Sequence, residues 1–123
     1  MPFKDPEEAR KYRADWYLRH RAEEIAAAYR NKRRTIRRNQ ELTEEIRRST
    51  PCSDCGVSYP PYVMDFDHIR GTKVDDVMQL VNQGASWVKI SAEIAKCEVV
   101  CSNCHRIRIY QRRQSADQQS RVA

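Results

Sequence analysis

The first fifty residues favour helix throughout but carry no continuous apolar stripe. Asp5 followed by Pro6, with Glu8 in the first turn, is typical of a helix start, and Pro51 supplies a stop. No Gly or Pro interrupts the chain between these points, and apolar residues occur only in short pairs four positions apart. The pattern predicts one long helix, or two with a bend near Asn39, partly detached from the core.

A different pattern follows a Pro-rich loop. Apolar and polar residues alternate from Tyr62 to His68, which predicts a strand with Met64 and Phe66 on the same face as these two residues. The opposite face takes the acidic residues of the segment. Asp67, considered alone, would be interpreted as a surface acid.

Helical and extended segments alternate in the rest of the chain. Apolar spacing predicts a short helix over residues 74–81 and a second helix that begins after Ser86. Residues 98–100 form a short extended segment, and the last helix runs from Cys104 to about Arg113. The Gln- and Ser-rich tail after it is expected to be disordered. This mixture of elements predicts an α+β fold.

The cysteines compensate for a thin supply of core residues, since only 40% of the 123 residues are apolar. A small domain of this composition usually needs a metal or disulfides. Four of the five cysteines form two C-x2-C pairs: Cys52, Cys55, Cys101 and Cys104. No signal peptide precedes them, so we expect a cytoplasmic protein with reduced thiols and a structural zinc held by four cysteines. Cys97 is interpreted as a packing residue, and no stretch is long enough to span a bilayer.

The net charge is +6, and its distribution along the chain says more than the total. Residues 1–50 hold 14 Lys and Arg against 9 Asp and Glu, residues 51–100 hold 4 against 7, and residues 101–123 hold 5 against 1. Basic flanks around an acidic middle suit a phosphate backbone outside a cation site. An acidic membrane or an acidic protein partner would fit the same charge.

One segment, the basic run at residues 30–38, concentrates the positive charge. It carries six basic side chains and no acidic one: Arg30, Lys32, Arg33, Arg34, Arg37 and Arg38. We expect these side chains to contact the phosphate backbone of a nucleic acid. Such contacts add affinity without choosing a sequence.

Two motifs add possible chemistry to the cysteine pattern. The segment D-F-D-H-I contains Asp67 and His68, and the second cysteine pair continues as C-x2-C-H-R with His105. Phosphodiester hydrolysis needs a base to activate water and a cation to neutralise charge on the leaving oxygen. An imidazole suits the first task, and a carboxylate with an imidazole on an open metal site suits the second. Arg106 and Arg108 are candidates for gripping a phosphate.

Together these motifs resemble the HNH endonuclease family in its zinc-stabilised form, over about residues 51–110. The segment from Cys97 to Arg106 is also similar to small HNH proteins that phages often carry, and a basic helix precedes the module in that group too. The resemblance implies a ββα-metal (His-Me finger) module, in which two strands and a helix surround one divalent cation. It is also consistent with a phage-encoded protein acting in a bacterial host.

The resemblance implies a role for each motif residue. His68 would be the general base, and Asp67 and His105 would be ligands of a catalytic Mg²⁺ or Mn²⁺ ion. The reaction would be the nicking or double-strand cleavage of DNA. Asp65 is a reserve metal ligand.

This chain departs from the family pattern at one position. Lys96 stands where the family usually has an Asn that braces the loop carrying the base. Asn103, Asn82 or a backbone contact are the alternatives for that task.

We therefore predict three parts: a basic helical DNA-holding extension at residues 1–50, an HNH module at 51–113 and a disordered tail at 114–123. The leading hypothesis is a DNA endonuclease of weak sequence specificity. The alternatives are a non-catalytic zinc-ribbon protein that binds nucleic acid, and an accessory subunit of a larger phage machine. The N-terminal helix is a candidate surface for pairing with a second copy or with a phage protein.

Overall fold

The computed structural model describes residues 4–122, apart from the side chain of Val122. Within this range the order of elements is α1, a short 3-10 helix, β1, α2, α3, β2 and α4. Their bounds are α1 Pro6–Ser49, the 3-10 helix Pro61–Val63, β1 Met64–His68, α2 Val77–Asn82, α3 Trp87–Ile94, β2 Cys97–Cys101 and α4 Ser102–Val122. The chain divides into two units, residues 1–35 and residues 36–123, and α1 contributes residues to both.

The long N-terminal helix is continuous, as one of the two sequence interpretations predicted. Asp5 Oδ1 accepts a hydrogen bond from the Glu7 N–H at 3.0 Å, which satisfies one of the free donors at the helix start. Asn39 lies within this helix. It is fully buried, and its Nδ2 donates to the Ala85 carbonyl oxygen at 3.1 Å, so it anchors this part of α1 to the loop before α3.

The sheet has two antiparallel strands, with Met64 opposite Cys101 and His68 opposite Cys97. β1 begins two residues later than Tyr62, because consecutive prolines restrict φ and the chain first makes a 3-10 turn. Tyr62 consequently lies in that turn and is 84% exposed.

Two apolar clusters form the core of residues 36–123. The sheet cluster consists of Cys52, Met64, Val99, Val100 and Cys101. The helix cluster consists of Val77, Leu80, Val81 and Ile90. Phe66 packs against both clusters, so β1 is the element that joins them.

Both short helices form, with one shifted boundary. Ser86 accepts a hydrogen bond from the Lys89 N–H at 3.3 Å and caps α3 as predicted. α2 begins at Val77 rather than Val74, because the N–H groups of Val74 and Asp75 donate to the Glu93 carboxylate and are drawn away from a helical path.

The C-terminal helix is longer than predicted at both ends. α4 begins at Ser102 and continues past Arg113 to Val122, where the sequence analysis placed a disordered tail. The segment contains no Gly or Pro to stop a helix, and Gln, Ala and Arg are good helix formers, so polarity alone was a poor guide. Ala123 lies outside the described residues. None of the helices of residues 4–122 combines the length and hydropathy that crossing a bilayer requires.

Candidate metal centre and candidate active site

The four cysteines of the two C-x2-C pairs come together and are called here the thiol cluster. Their Sγ atoms all lie within 4.8 Å of one another. Gly56 has a φ of +72° and donates its N–H to the Cys52 carbonyl oxygen at 2.9 Å, which closes the tight turn between Cys52 and Cys55. Cys101 ends β2 and Cys104 lies in the first turn of α4. The predicted cluster is therefore present.

The electrostatics of the thiol cluster favour a bound cation. Burial alone would raise the pKa of Cys52, but backbone N–H groups, those of Cys55 and Cys101 first, outweigh it and lower the pKa to about 6. The hydrogen bond with Cys101 and burial raise the pKa of Cys104 to about 12. Ionisation of one thiol thus makes ionisation of its neighbours less favourable, and a divalent cation would offset the repulsion between the thiolates.

The donor set suits a structural zinc ion. Four thiolates at about 2.3 Å from a tetrahedral zinc lie about 3.8 Å from one another, so only small shifts of the side chains are needed. A site with four protein ligands has no open position for a substrate. The thiol cluster can therefore hold a structural metal ion such as zinc, and it offers no chemistry of its own.

Cys97 lies outside the thiol cluster. Its Sγ donates to the Glu93 carbonyl oxygen at 3.4 Å, and it packs against the helix cluster. Burial raises the pKa of this thiol to about 11. These contacts fit the packing role that the sequence predicted.

His105 lies between two aspartates of β1. Its Nδ1 is 3.0 Å from Asp65 Oδ2, and its Nε2 is 3.6 Å from Asp67 Oδ1. Because His105 directly follows Cys104, the turn from β2 into α4 that completes the thiol cluster also positions this imidazole. The structure thus brings together two of the three residues that the motifs singled out.

Asp67 is a buried carboxylate rather than a surface acid, with 4% of its surface exposed. Its Oδ1 accepts from Arg112 at 2.9 Å, and its Oδ2 accepts from Arg112 at 2.7 Å and from Arg108 at 2.9 Å. Burial acts to raise the pKa of Asp67, but the two arginines and His105 outweigh it and lower the pKa. Asp67 is therefore ionised at neutral pH.

Arg108 links three segments through acidic partners. It donates to Asp54 in the turn of the thiol cluster, to Asp67 of β1 and to Glu98 of β2. These partners, Asp54 first, raise the pKa of Arg108. Only 15% of its side chain is exposed, so the predicted contact with DNA would have to compete with three carboxylates. Arg106 is exposed and Arg112 is half exposed.

His68 ends β1 and faces a different carboxylate. Its Nε2 lies 3.3 Å from Glu93 Oε2, and 14% of its side chain is exposed. Glu93 is 2% exposed and also pairs with Lys96 through Oε1 at 2.5 Å. The bond with Lys96 is the main cause that lowers the pKa of Glu93 to about 2.

Lys96 itself braces the segment that follows His68. Its Nζ donates to the Thr72 carbonyl oxygen at 2.7 Å. Its carbonyl oxygen accepts from the N–H groups of Ile69 at 2.9 Å and Arg70 at 3.2 Å. Lys96 stands where the resemblance to HNH proteins predicts an Asn. In its place, the backbone carbonyl of Lys96 and its side chain both bind the segment that follows His68.

The basic run is exposed along its whole charged face. Its six Lys and Arg side chains are all exposed, and none forms an ion pair with an acidic residue in the part of the chain that the structure describes. Arg33 lies 5.7 Å from the centre of the Tyr29 ring and donates to its hydroxyl at 3.1 Å. These charges remain available for phosphate contacts.

Sequence reasoning missed Glu93, Asp54 and Arg112. For Arg112 a signal exists, because His105, Arg108 and Arg112 are spaced three and four residues apart and share one face of a helix. No local pattern marks the other two, since their partners are distant in sequence. In residues 4–122, the thiol cluster is the one group of three or more His, Cys, Asp or Glu residues arranged to hold a metal.

No protein-family model, curated protein or solved structure matches this chain.

Proposed function

We propose that this protein is a metal-dependent endonuclease that hydrolyses phosphodiester bonds in DNA. In this proposal β1, β2 and α4 form an HNH-type ββα module. The observation that supports it best is the position of His105 Nε2, 3.6 Å from Asp67 Oδ1. His68 directly follows Asp67 at the end of β1. A module that only binds nucleic acid has no need for these three residues in this order.

The donor atoms around Asp67 suit a hard divalent cation. A carboxylate has about four lone-pair directions, and three of those on Asp67 accept arginine N–H groups, so Oδ1 keeps one beside His105. His105 presents Nδ1 to Asp65, which is the arrangement typical of a metal-binding histidine whose other nitrogen faces the ion. Asp65 is then a partner of the ligand and not itself a ligand.

Mg²⁺ and Mn²⁺ fit a site with few protein ligands, because substrate phosphate and water complete their coordination. A cation held by Asp67 and His105 would neutralise the charge that develops on the leaving oxygen. This pair offers fewer than three protein donors, which agrees with an ion that binds together with the substrate.

His68 is the proposed general base. A neutral imidazole can accept a proton from a water molecule as that water attacks the phosphate. His68 lies at the end of β1 and is partly exposed, so one side of the ring can face a water molecule while the other contacts Glu93.

Phosphate binding involves residues outside this centre. Arg112 is half exposed while it contacts Asp67, so its guanidinium can also donate to a phosphate oxygen. The basic run supplies further positive charge that is not neutralised by acidic neighbours. Contacts of this kind do not read bases, and a random-library cleavage assay is expected to show weak sequence preference.

Conversion of supercoiled plasmid to nicked or linear form tests the proposal. The wild type, His68→Ala and His20→Ala are compared in EDTA, Mg²⁺, Mn²⁺ and Zn²⁺, after metal analysis confirms about one zinc per chain in each. His20 is the matched control because it lies on α1, where its Nδ1 is 2.7 Å from the Trp16 carbonyl oxygen and its ring stacks on that of Trp16. We expect metal-dependent cleavage that His68→Ala reduces by about 10²- to 10⁴-fold and that His20→Ala leaves unchanged.

A non-catalytic role in binding nucleic acid is the second candidate, and the unpaired charges of the basic run favour it. A folded, zinc-loaded wild type that binds DNA but does not cleave it in any of these metals would contradict the nuclease proposal. That result would favour a binding module or an accessory subunit that acts with a partner.

A further inference from the structure

A second buried carboxylate, Glu93, lies outside the D-F-D-H-I and C-x2-C-H-R motifs. It belongs to α3, which the sequence pattern explains by core packing alone, and it is 2% exposed. Burying a charged group is costly unless it is paired and hydrogen-bonded. Glu93 has such partners on both of its carboxylate oxygens.

The two carboxylate oxygens have separate partners. Oε1 pairs with Lys96 Nζ at 2.5 Å. Oε2 accepts from the N–H groups of Val74 at 3.0 Å and Asp75 at 3.3 Å, and it faces His68 Nε2 at 3.3 Å. One side chain of α3 thus joins the end of β1, the segment before α2 and the residue that precedes β2.

These partners define which nitrogen of His68 carries hydrogen. Glu93 is held in its ionised form by Lys96 and the two backbone donors, and an ionised carboxylate only accepts hydrogen bonds. A neutral His68 must therefore carry its proton on Nε2 in order to contact Oε2. Nδ1 is then unprotonated, and among the described residues it has no hydrogen-bond partner.

We infer that Glu93 is a positioning residue that holds His68 as the Nε2–H tautomer and leaves Nδ1 as the proton acceptor. Its catalytic consequence depends on the proposed nuclease function, but the tautomer itself does not. A carboxylate that orients a histidine in this way fixes both the ring plane and the nitrogen that does the chemistry. Because Glu93 also binds the backbone of Val74 and Asp75, it holds the segment after β1 at the same time.

The first experiment is ¹⁵N NMR of the His68 imidazole in the zinc-loaded protein, without other metal, at about pH 8, where an ordinary histidine is neutral. The wild type is expected to show a protonated Nε2 and an unprotonated Nδ1. In Glu93→Gln the amide can donate as well as accept, so the two tautomers are expected to mix. Glu41→Gln is the matched control, since Glu41 is exposed on α1, and it should keep the wild-type spectrum.

The second experiment measures plasmid cleavage by the same proteins. Glu93→Gln is expected to lower kcat about 10- to 100-fold with little change in KM, because the substrate does not contact Glu93 in this scheme. Glu93→Asp restores the charge with a shorter side chain and is expected to recover part of the loss. In Lys96→Gln, Glu93 is still present to contact His68, so this variant is expected to lower kcat less than Glu93→Gln does.

The two experiments separate this inference from the proposed function. A wild-type protein that fails to cleave DNA yet shows the Nε2–H tautomer contradicts the nuclease and supports the role of Glu93. A wild-type spectrum with hydrogen on Nδ1 overturns the inference whatever the activity, and it needs no variant to fold. A folded Glu93→Gln protein with an unchanged tautomer and unchanged kcat overturns it as well.

Discussion

The thiol cluster and the histidine site, meaning Asp67, His68 and His105 with their partners, are built on neighbouring residues but have opposite electrostatics. The thiol cluster has four like donors that hinder one another's ionisation, and the backbone N–H groups that lower the pKa of Cys52 leave the pKa of Cys104 raised to about 12. At the histidine site, Asp67 is already neutralised by two arginines and Glu93 by a lysine.

This difference separates a cluster that can hold a structural metal ion from the proposed site for a catalytic ion. A group of thiolates without a cation is unfavourable, so zinc binding contributes directly to folding. A carboxylate that is paired with arginine needs no cation in order to be stable, and a weakly held ion can come and go with the substrate. Removing zinc should therefore unfold residues 36–123, whereas removing the proposed Mg²⁺ ion should leave their structure intact.

The largest effect is expected from the loss of one cluster thiol. Cys101→Ser should lose zinc and unfold residues 36–123, since structural zinc contributes about 10–16 kcal/mol of apparent binding free energy in small domains. Cys97→Ser is the matched control, because Cys97 lies outside the cluster. Metal analysis and circular dichroism measure the two effects, and a folded, metal-free Cys101→Ser protein would contradict this assignment.

A smaller loss is expected when the buried carboxylate of the histidine site is neutralised. Asp67→Asn removes one of the carboxylates that pair with the largely buried guanidinium of Arg108. This substitution should lower the free energy of unfolding by about 3 kcal/mol. Arg112→Gln should lower it by about 1 kcal/mol or less, because half of the Arg112 side chain is exposed to solvent. Urea unfolding measures both, with exposed Asp117→Asn as the control. Equal losses for Asp67→Asn and Asp117→Asn would mean that the arginine network does not stabilise the fold.

The stability contributed by Glu93 should depend on pH in a defined direction. Its pKa is lowered from 4.5 to about 2 in the folded chain, chiefly by Lys96, so between these values the unfolded chain binds a proton that the folded chain does not. The contribution is complete above the unfolded pKa and is lost as the pH falls towards the folded one.

Urea unfolding of wild type and Glu93→Gln, from about pH 6 to the lowest pH at which both retain zinc, measures this contribution. The advantage of the wild type should shrink on acidification below the ordinary pKa of a glutamate. A difference that stays constant would show that Glu93 has an ordinary pKa.

Substitutions in the basic run are expected to have the smallest effect on stability. Their expected effect is on the affinity for DNA. Replacing Arg33 and Arg34 with Gln should weaken DNA binding and reduce the slope of log Kd against log salt by about 0.9 for each phosphate that is no longer neutralised. Arg10 and Arg13 replaced with Gln remove the same charge elsewhere on α1 and form the control. Equal losses of affinity from both pairs would indicate a response to net charge and not to this segment.

Local patterns predicted the features whose partners are close in sequence. The cap at Ser86 and the close approach of the two cysteines within each C-x2-C pair belong to this class, and one of the two interpretations of residues 1–50 was the uninterrupted α1. The roles of Asn39 and Glu93 could not be predicted from local patterns, because each residue contacts a partner that is distant in sequence. Asn39 binds the backbone of Ala85, and Glu93 binds the side chain of His68. The same limit explains why Asp67, when considered alone, was interpreted as a surface acid, since its arginine partners lie on α4.

Phe66 gives the two apolar clusters a shared boundary. Neither the sheet cluster nor the helix cluster can loosen without exposing a ring that the other also covers. The two are therefore coupled thermodynamically, and at saturating zinc residues 36–123 should melt in one calorimetric transition whose van't Hoff and calorimetric enthalpies agree. An aromatic side chain in the middle of a five-residue strand thus determines whether this part of the protein has one melting temperature or two.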